Sequence, residues 1–239
     1  MGKEIFLEAA IALGQKISDL AIWDGDACTW EIVVPDPTEI TGTRSVRTLA
    51  TGTLYQGTAG IGTFFSELFS LTGNPIFGKC AEGAFRYALQ RTESLAHNAF
   101  GFHGGRTGVA YAMARHGMLH SKQEFTDFAH RLLSPLFGSE TEDRGADVIA
   151  GAAGAIPALL LLSRWTETPA AAISAIRLGM RLIKTAKRNP CGWSWSTGVK
   201  GPSRDLTGYA HGASGFAHAF LELQLSIERW TKVQSAFDL

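Results

Sequence analysis

Leu206-Thr-Gly-Tyr-Ala-His-Gly-Ala-Ser-Gly-Phe-Ala-His-Ala-Phe-Leu-Glu-Leu223 is a glycine-rich turn that carries a histidine and runs into an apolar stretch. Its outline recurs upstream. Gly57-Thr-Ala-Gly60 leads into Ile61-Gly-Thr-Phe-Phe-Ser-Glu-Leu68, Gly105-Arg-Thr-Gly108 into Val109-Ala-Tyr-Ala-Met-Ala114, and Gly151-Ala-Ala-Gly154 into Ala155-Ile-Pro-Ala-Leu-Leu-Leu-Leu162. With Gly212-Ala-Ser-Gly215, the copies start 48, 46 and 61 residues apart. A period of this size marks a repeat architecture, in which each unit buries its apolar face against its neighbours.

Glycine permits positive φ and close backbone approach, so GxxG suits a tight entry into a helix. The residues that follow carry almost no charge, and a helix apolar on nearly all faces is a buried one. Between these inner helices lies an amphipathic one. In the third interval Ile173, Ile176, Met180 and Ile183 recur at helical steps, with Arg177, Arg181 and Lys184 between them. Each unit therefore predicts an αα-hairpin with one inner and one outer helix. Several hairpins in a ring give an all-α fold, an α/α toroid with its glycine turns on one rim.

The chain has 239 residues, 45% of them hydrophobic, enough for a real core, and residues 1–239 are read as one domain. Net charge is zero, which gives no electrostatic reason to expect nucleic acid as a partner. No uninterrupted apolar run reaches the length of a membrane span, and Met1-Gly-Lys-Glu-Ile lacks a signal-peptide layout. The three cysteines, Cys28, Cys80 and Cys191, form no CxxC, which fits a cytoplasmic chain with reduced thiols.

In chain order, Glu4 to Leu20 predicts a first helix. Ala21 to Val46 predicts a long loop over the barrel end, with a β-like run Trp30-Glu-Ile-Val-Val34 stopped by Pro35 and Pro37. The outer helices of the first two units are expected from about Ile76 and near Ser121, and Thr168-Pro169 opens the third. Gly138 to Arg144 is polar, and Asn189 to Asp205 is a loop. The fourth inner helix is expected to fade near Ser226, with a new outer helix opening from Glu228. Four inner helices do not close a ring. The toroid is therefore expected to be incomplete at the C-terminus, to be completed by a missing C-terminal segment or a second chain.

Aligned on the first glycine, the residue just before it is Gln56, Gly104, Ala150 or His211, and the residue four before is Thr53, Gly101, Asp147 or Gly208. The fold does not itself require His211 or Asp147, because sister units place other residues there. Both are predicted on the rim, facing the barrel mouth. An imidazole, titrating near ~6.5, and a carboxylate across a cavity make an acid/base pair for proton transfer at neutral pH. The alternative is that His211 caps a helix or bonds a carbonyl, and that Asp147 is an N-cap. His103 shares this rim, and Trp193 and Trp195 are placed to line a peptide-binding mouth. For these three, backbone bonding or loop packing is the competing account. His218 is read as a core histidine, His97, His116, His120 and His130 as solvated or interhelix residues. A glycan hydrolase on such a barrel would need a second rim carboxylate, for which Asp147 and Asp205 are the candidates.

Leu54-Tyr-Gln-Gly-Thr-Ala-Gly60, Asp147-Val-Ile-Ala-Gly-Ala-Ala-Gly154 and Tyr209-Ala-His-Gly-Ala-Ser-Gly215 resemble the repeat signatures of the lanthionine synthetase C-like (LanC-like) family, and the resemblance spans the chain to about Leu223. It implies a toroid of inner and outer helices and a role in lanthipeptide (lantibiotic) biosynthesis. The family's cyclases add a cysteine thiol of a precursor peptide to a dehydroalanine or dehydrobutyrine. They use a zinc ion that lowers the thiol pKa. By the same resemblance, His211 is proton donor to the enolate or a relay, and Asp147 an orienting or relay group.

The family's zinc is held by a cysteine and a Cys-His pair that follow the AHG motif. This chain has no Cys-His dipeptide and ends before those repeats, and its cysteines do not match those positions. The acid/base half of such a site is legible and the metal half is not. The polypeptide alone is therefore expected neither to hold catalytic zinc nor to cyclise peptides. Two classes of function follow: a lanthipeptide cyclase, or a non-catalytic peptide-binding or assembly module that kept the scaffold without the metal.

Overall fold

Four loops with the same hydrogen bonding set the architecture. In the computed structural model, the amide of each unit's first helical residue donates to a carbonyl earlier in its own loop. Thr58 donates to Thr51, Arg106 to Ala99, Ala152 to Gly145 and Ala213 to Leu206, at 2.8 to 3.1 Å. Each loop wraps its first glycine closely. A Cβ at Gly57, Gly105, Gly151 or Gly212 would run into loop backbone, and one at the second glycine would meet the carbonyl of Leu54, Phe102, Val148 or Tyr209. The N-cap glycines 57, 105 and 151 are extended, with φ of −146°, −139° and −118°. Close approach, not a left-handed φ, therefore selects glycine in these turns.

The structure describes residues 2–36, 38, 44–93, 95, 99–138, 145–196 and 205–237. Helix α1 (Gly2–Asp19) precedes two hairpins, β1 (Ile22–Asp24) with β2 (Ala27–Thr29) and β3 (Glu31–Pro35) with β4 (Ser45–Leu49). There follow α2 (Thr58–Thr72), α3 (Pro75–Glu93), α4 (Arg106–His120), α5 (Gln123–Gly138), α6 (Ala152–Trp165) and α7 (Pro169–Thr185). A third hairpin, β5 (Lys187–Asn189) with β6 (Gly192–Ser194), leads to α8 (Ala213–Phe237). Helices α2, α4, α6 and α8 follow the glycine turns and pack on one another in that order, with α3, α5 and α7 outside them. This is the toroid arrangement that the repeat predicts. No helix among the described residues is long and apolar enough to cross a membrane.

The two middle inner helices bury long apolar runs. Val109, Ala110, Ala112 and Met113 of α4, and Ala155, Ile156, Leu159 and Leu162 of α6, are all at most 1% exposed. The outer α7 buries Ala171, Ala175, Leu178 and Leu182 and leaves Ile173 and Met180 in solvent. Within the first unit Phe65 meets Phe77, and between the first two units Phe85 meets Phe125, each pair with ring centroids 5.9 Å apart. Burying each such ring stabilises the fold by roughly 2–3 kcal/mol.

Two helix boundaries are corrected. Helix α8 is one helix, so no separate outer helix opens at Glu228. No glycine or proline follows Gly215 in it, and the Gln224 side-chain amide donates to Glu228 Oε1 at 2.8 Å across the expected boundary. Helix α5 starts at Gln123 rather than Ser121, which is instead the left-handed C-cap of α4 at φ 54°. On α1, Leu7, Ala10 and Ile17 reach the core, while Ile5, Ile11, Leu13 and Leu20 remain exposed. The polar stretch 139–144, His97, Pro37 and the loop centre 197–204 lie outside the described residues.

Candidate functional site

The four turns are stitched edge to edge along one rim. The Tyr55 amide donates to His103 O at 3.0 Å, the His103 and Gly104 amides to Ile149 O at 3.1 Å, and the Val148 amide to Ala210 O at 3.1 Å. The last bond joins the residue after Asp147 to the residue before His211. Two side chains far apart in sequence are thereby placed at one point of the rim.

His211 Nδ1 lies 2.6 Å from Asp147 Oδ2, while Asp147 Oδ1 accepts the Ala150 amide at 2.9 Å. Asp147 is thus fixed by its own turn before it meets the imidazole. It is not an N-cap, since Gly151 holds that position in α6. The Asp147 side chain is 7% exposed and that of His211 41%. With Asp147 ionised, the proton of a neutral His211 resides on Nδ1, and Nε2 is left as the atom that takes or gives a proton. A buried carboxylate behind a half-exposed imidazole is an arrangement for proton transfer at the mouth.

Next to this pair a cavity of about 200 Å³ opens into the barrel, walled by Phe102, Tyr111, Pro157 and Leu161 and reached by His103, Tyr209 and His218. The His103 ring stands edge-on to Tyr55 and Phe102, and burial lowers its pKa, keeping it neutral. His218 is not a core histidine: its side chain is 44% exposed. Tyr209 Oη lies 3.2 Å from His218 Nδ1, and Glu222 follows one turn along α8. A second, wider groove of about 790 Å³ runs along the rim past Thr51, Thr53, Gln56, Gly104 and Ile149.

The family model for lanthionine synthetase C-like protein matches residues 49–237. The chain belongs to the lanthionine synthetase C-like family. No curated protein sequence matches it. Among 13 solved chains that share its fold is one titled nisin cyclase, with a TM-score of 0.59 and 14% sequence identity. That match covers 79% of this chain and 57% of nisin cyclase, so the chain spans little more than half the length of that protein.

Proteins of the LanC-like family use zinc, and the residues described here do not fit it. Among them no group of three or more His, Cys, Asp or Glu is placed to hold a metal ion. Cys28 and Cys80 are buried, the Cys28 thiol donating to Cys80 O at 3.6 Å, and burial pushes the Cys28 thiol up to about 12. Such a thiol is protonated, whereas a zinc ligand is a thiolate. Cys191 is exposed in the β5–β6 turn, its amide bonded to Asn189 Oδ1.

The tryptophans divide. Trp195 is 7% exposed, stacks on Phe216 with centroids 4.3 Å apart and donates its indole N–H to Leu182 O, so it packs the loop onto α7 and α8. Trp193 is 46% exposed and lies under the Arg188 guanidinium. Asp205 accepts from Lys187 Nζ at 2.9 Å and Ser194 Oγ at 2.7 Å, bonds that hold its pKa below the usual carboxylate range. An ionised, bonded Asp205 is ill suited to be the acid of a glycan hydrolase.

Proposed function

We propose that this LanC-like protein acts in lanthipeptide biosynthesis as a cyclase-like protein, promoting Michael-type addition of a peptide cysteine thiol to a dehydroalanine or dehydrobutyrine. The observation that carries this reading is the 2.6 Å contact between His211 and Asp147 on the rim. Addition of a thiol to a dehydroamino acid leaves an enolate whose α-carbon must be protonated. His211 Nε2 is the donor, and Asp147 orients the ring and stabilises the imidazolium. The rim groove, lined with threonine hydroxyls and Gln56, suits a peptide laid across the mouth. His103 and Trp193 are its contacts in this reading. A cytoplasmic setting belongs to the same reading, as does completion of the barrel by further sequence or a second chain.

That no thiolate ligand set is placed among the described residues favours a second reading, a peptide-binding or assembly module without catalysis. One experiment separates the two. The full chain is incubated with a synthetic peptide carrying one cysteine and one dehydroalanine, alone and with zinc, and free thiol is followed by alkylation and mass spectrometry. Thiol loss at constant peptide mass, abolished in His211→Asn, supports the cyclase. Peptide binding without thiol loss supports the module.

A further inference from the structure

The addition moves two protons, one off the thiol and one onto the α-carbon, and His211 with Asp147 accounts for the second. On the same turn, two residues earlier, stands Tyr209. The position three before the first glycine is Leu54, Phe102, Val148 or Tyr209. The turn there asks for an apolar body, and the fourth unit alone adds a hydroxyl. The position three after the second glycine is Thr63, Tyr111, Pro157 or His218, so the fold does not ask for a histidine there either. These two unforced residues meet. Tyr209 Oη is 3.2 Å from His218 Nδ1, with ring centroids 5.6 Å apart. Behind them His218 Nε2 faces Glu222 Oε1 at 3.9 Å.

The chain of groups has a direction. Glu222 favours the proton on His218 Nε2, which leaves Nδ1 as an acceptor for the Tyr209 O–H. Tyr209, itself 53% exposed, and His218 both line the cavity of about 200 Å³ together with the apolar Phe102, Pro157 and Leu161. Two residues apart, Tyr209 and His211 have Cα atoms within about 7 Å of one another. The two residues therefore stand close together on one turn of the rim.

We propose that Tyr209, backed by His218 and Glu222, is the group that takes the proton from the attacking thiol, a second catalytic residue for the reaction proposed above, on which this inference rests. The S–H bond breaks and its proton passes to the phenol oxygen as the phenol proton passes to His218 Nδ1. The sulfur electron pair forms the C–S bond at the β-carbon, and the C=C pair moves onto the carbonyl as an enolate. The α-carbon then takes its proton from Nε2 of His211, which enters the step as an imidazolium protonated from water and faces the Asp147 carboxylate. One proton has moved from sulfur to carbon, and the two histidines reset by exchange with water.

The test is the cyclisation of the same cysteine–dehydroalanine peptide by the full chain, as kcat and KM against pH. For Tyr209→Phe, the expected result is a loss of about 100-fold in kcat near neutral pH with KM little changed. The loss shrinks as pH rises through the ordinary thiol range near ~8.5, where the peptide thiol ionises unaided. An equal loss at every pH, or none, overturns the relay and leaves the cyclase reading standing. A wild-type chain that does not cyclise the peptide overturns both. Nitrogen-15 NMR of the histidines provides a readout independent of activity: the Nε2–H tautomer is expected at His218, and an Nδ1–H tautomer overturns the proposal.

Discussion

His211 and His116 are the same side chain in opposite settings. His211 sits on the rim, its side chain 41% exposed, against a carboxylate. His116 is 1% exposed in α4, with the Phe85 and Phe125 rings at 5.1 and 4.7 Å and the Ser66 hydroxyl 2.8 Å from Nδ1. His120 Nε2 reaches the same hydroxyl at 3.2 Å. Burial first, then the neighbouring charges of His120, Lys122 and Arg86, push the His116 pKa down to about 3. In the proposed reaction His211 exchanges protons, whereas His116 stays neutral and ties α2 to α4. The partner decides: a carboxylate with access to water in one case, a hydroxyl among phenyl rings in the other.

The largest effect expected from this contrast is on turnover. His211→Asn and Asp147→Asn should each lower cyclisation of the cysteine–dehydroalanine peptide by about 10²- to 10⁴-fold, the range for a lost general acid. Circular dichroism should show the fold intact in both, because sister units place Gln, Gly or Ala at the first position and Thr or Gly at the second. His116→Leu should leave the rate unchanged. Equal rate losses at both sites would erase the distinction.

The reverse holds for stability. A folded pKa near 3 against ~6.5 unfolded means that the folded state resists protonation of His116. Stability is full above about pH 6.5 and falls as pH drops below it, by on the order of 4 kcal/mol by pH 3. Urea unfolding at pH 7 and pH 4 should show this acid loss in the wild type and a flatter dependence in His116→Leu. The same acid slope in the variant would place the sensitive group elsewhere.

The rim was legible in the sequence because repetition supplies its own control. Aligning the turns singled out His211 and Asp147 as residues that the fold does not demand, and the structure brings them into contact. What alignment could not show was which inward positions face one another. Tyr209 and His218 occupy equally unforced positions, yet nothing in the spacing says that a turn residue bends back onto the first helical turn. Ser66 and His116 lie in different units, and their bond depends on the depth at which α2 and α4 cross. The hairpin β1–β2 escaped because its strands are only three residues long. Helix α8 was cut too early because a fading apolar pattern near Ser226 was taken for an end, although no breaking residue stands there.

A smaller effect tests what holds the rim in place. The Cβ of Gly215→Ala would run into the Tyr209 carbonyl and come within 2.5 Å of Val148 Cγ2, whereas a Cβ at Gly208 meets nothing within 4 Å. Gly215→Ala should cost about 1–3 kcal/mol in thermal or urea unfolding, as overpacking does, and should lower cyclisation by shifting the turn that carries His211. Gly208→Ala should stay within about 0.5 kcal/mol of wild type. If both variants behave alike, close backbone approach is not what fixes the turn.

The thiols repeat the rim-and-core contrast at the smallest energetic scale. Cys191 stands exposed at a hairpin tip, while Cys28 and Cys80 are buried where β2 packs on α3. Desolvation raises the Cys28 thiol to about 12 and raises Cys80 as well, so neither forms the reactive thiolate near pH 8. An aromatic disulfide reagent at that pH should therefore titrate one thiol in the native chain, lost in Cys191→Ser, and the remaining two only on unfolding. Cys191→Ser should change stability by no more than about 0.5 kcal/mol, since an exposed turn residue buries almost nothing. Rapid labelling of Cys28 or Cys80 without denaturant would mean that the β2–α3 contact opens on its own, and the core side of the comparison would then be less fixed than the rim.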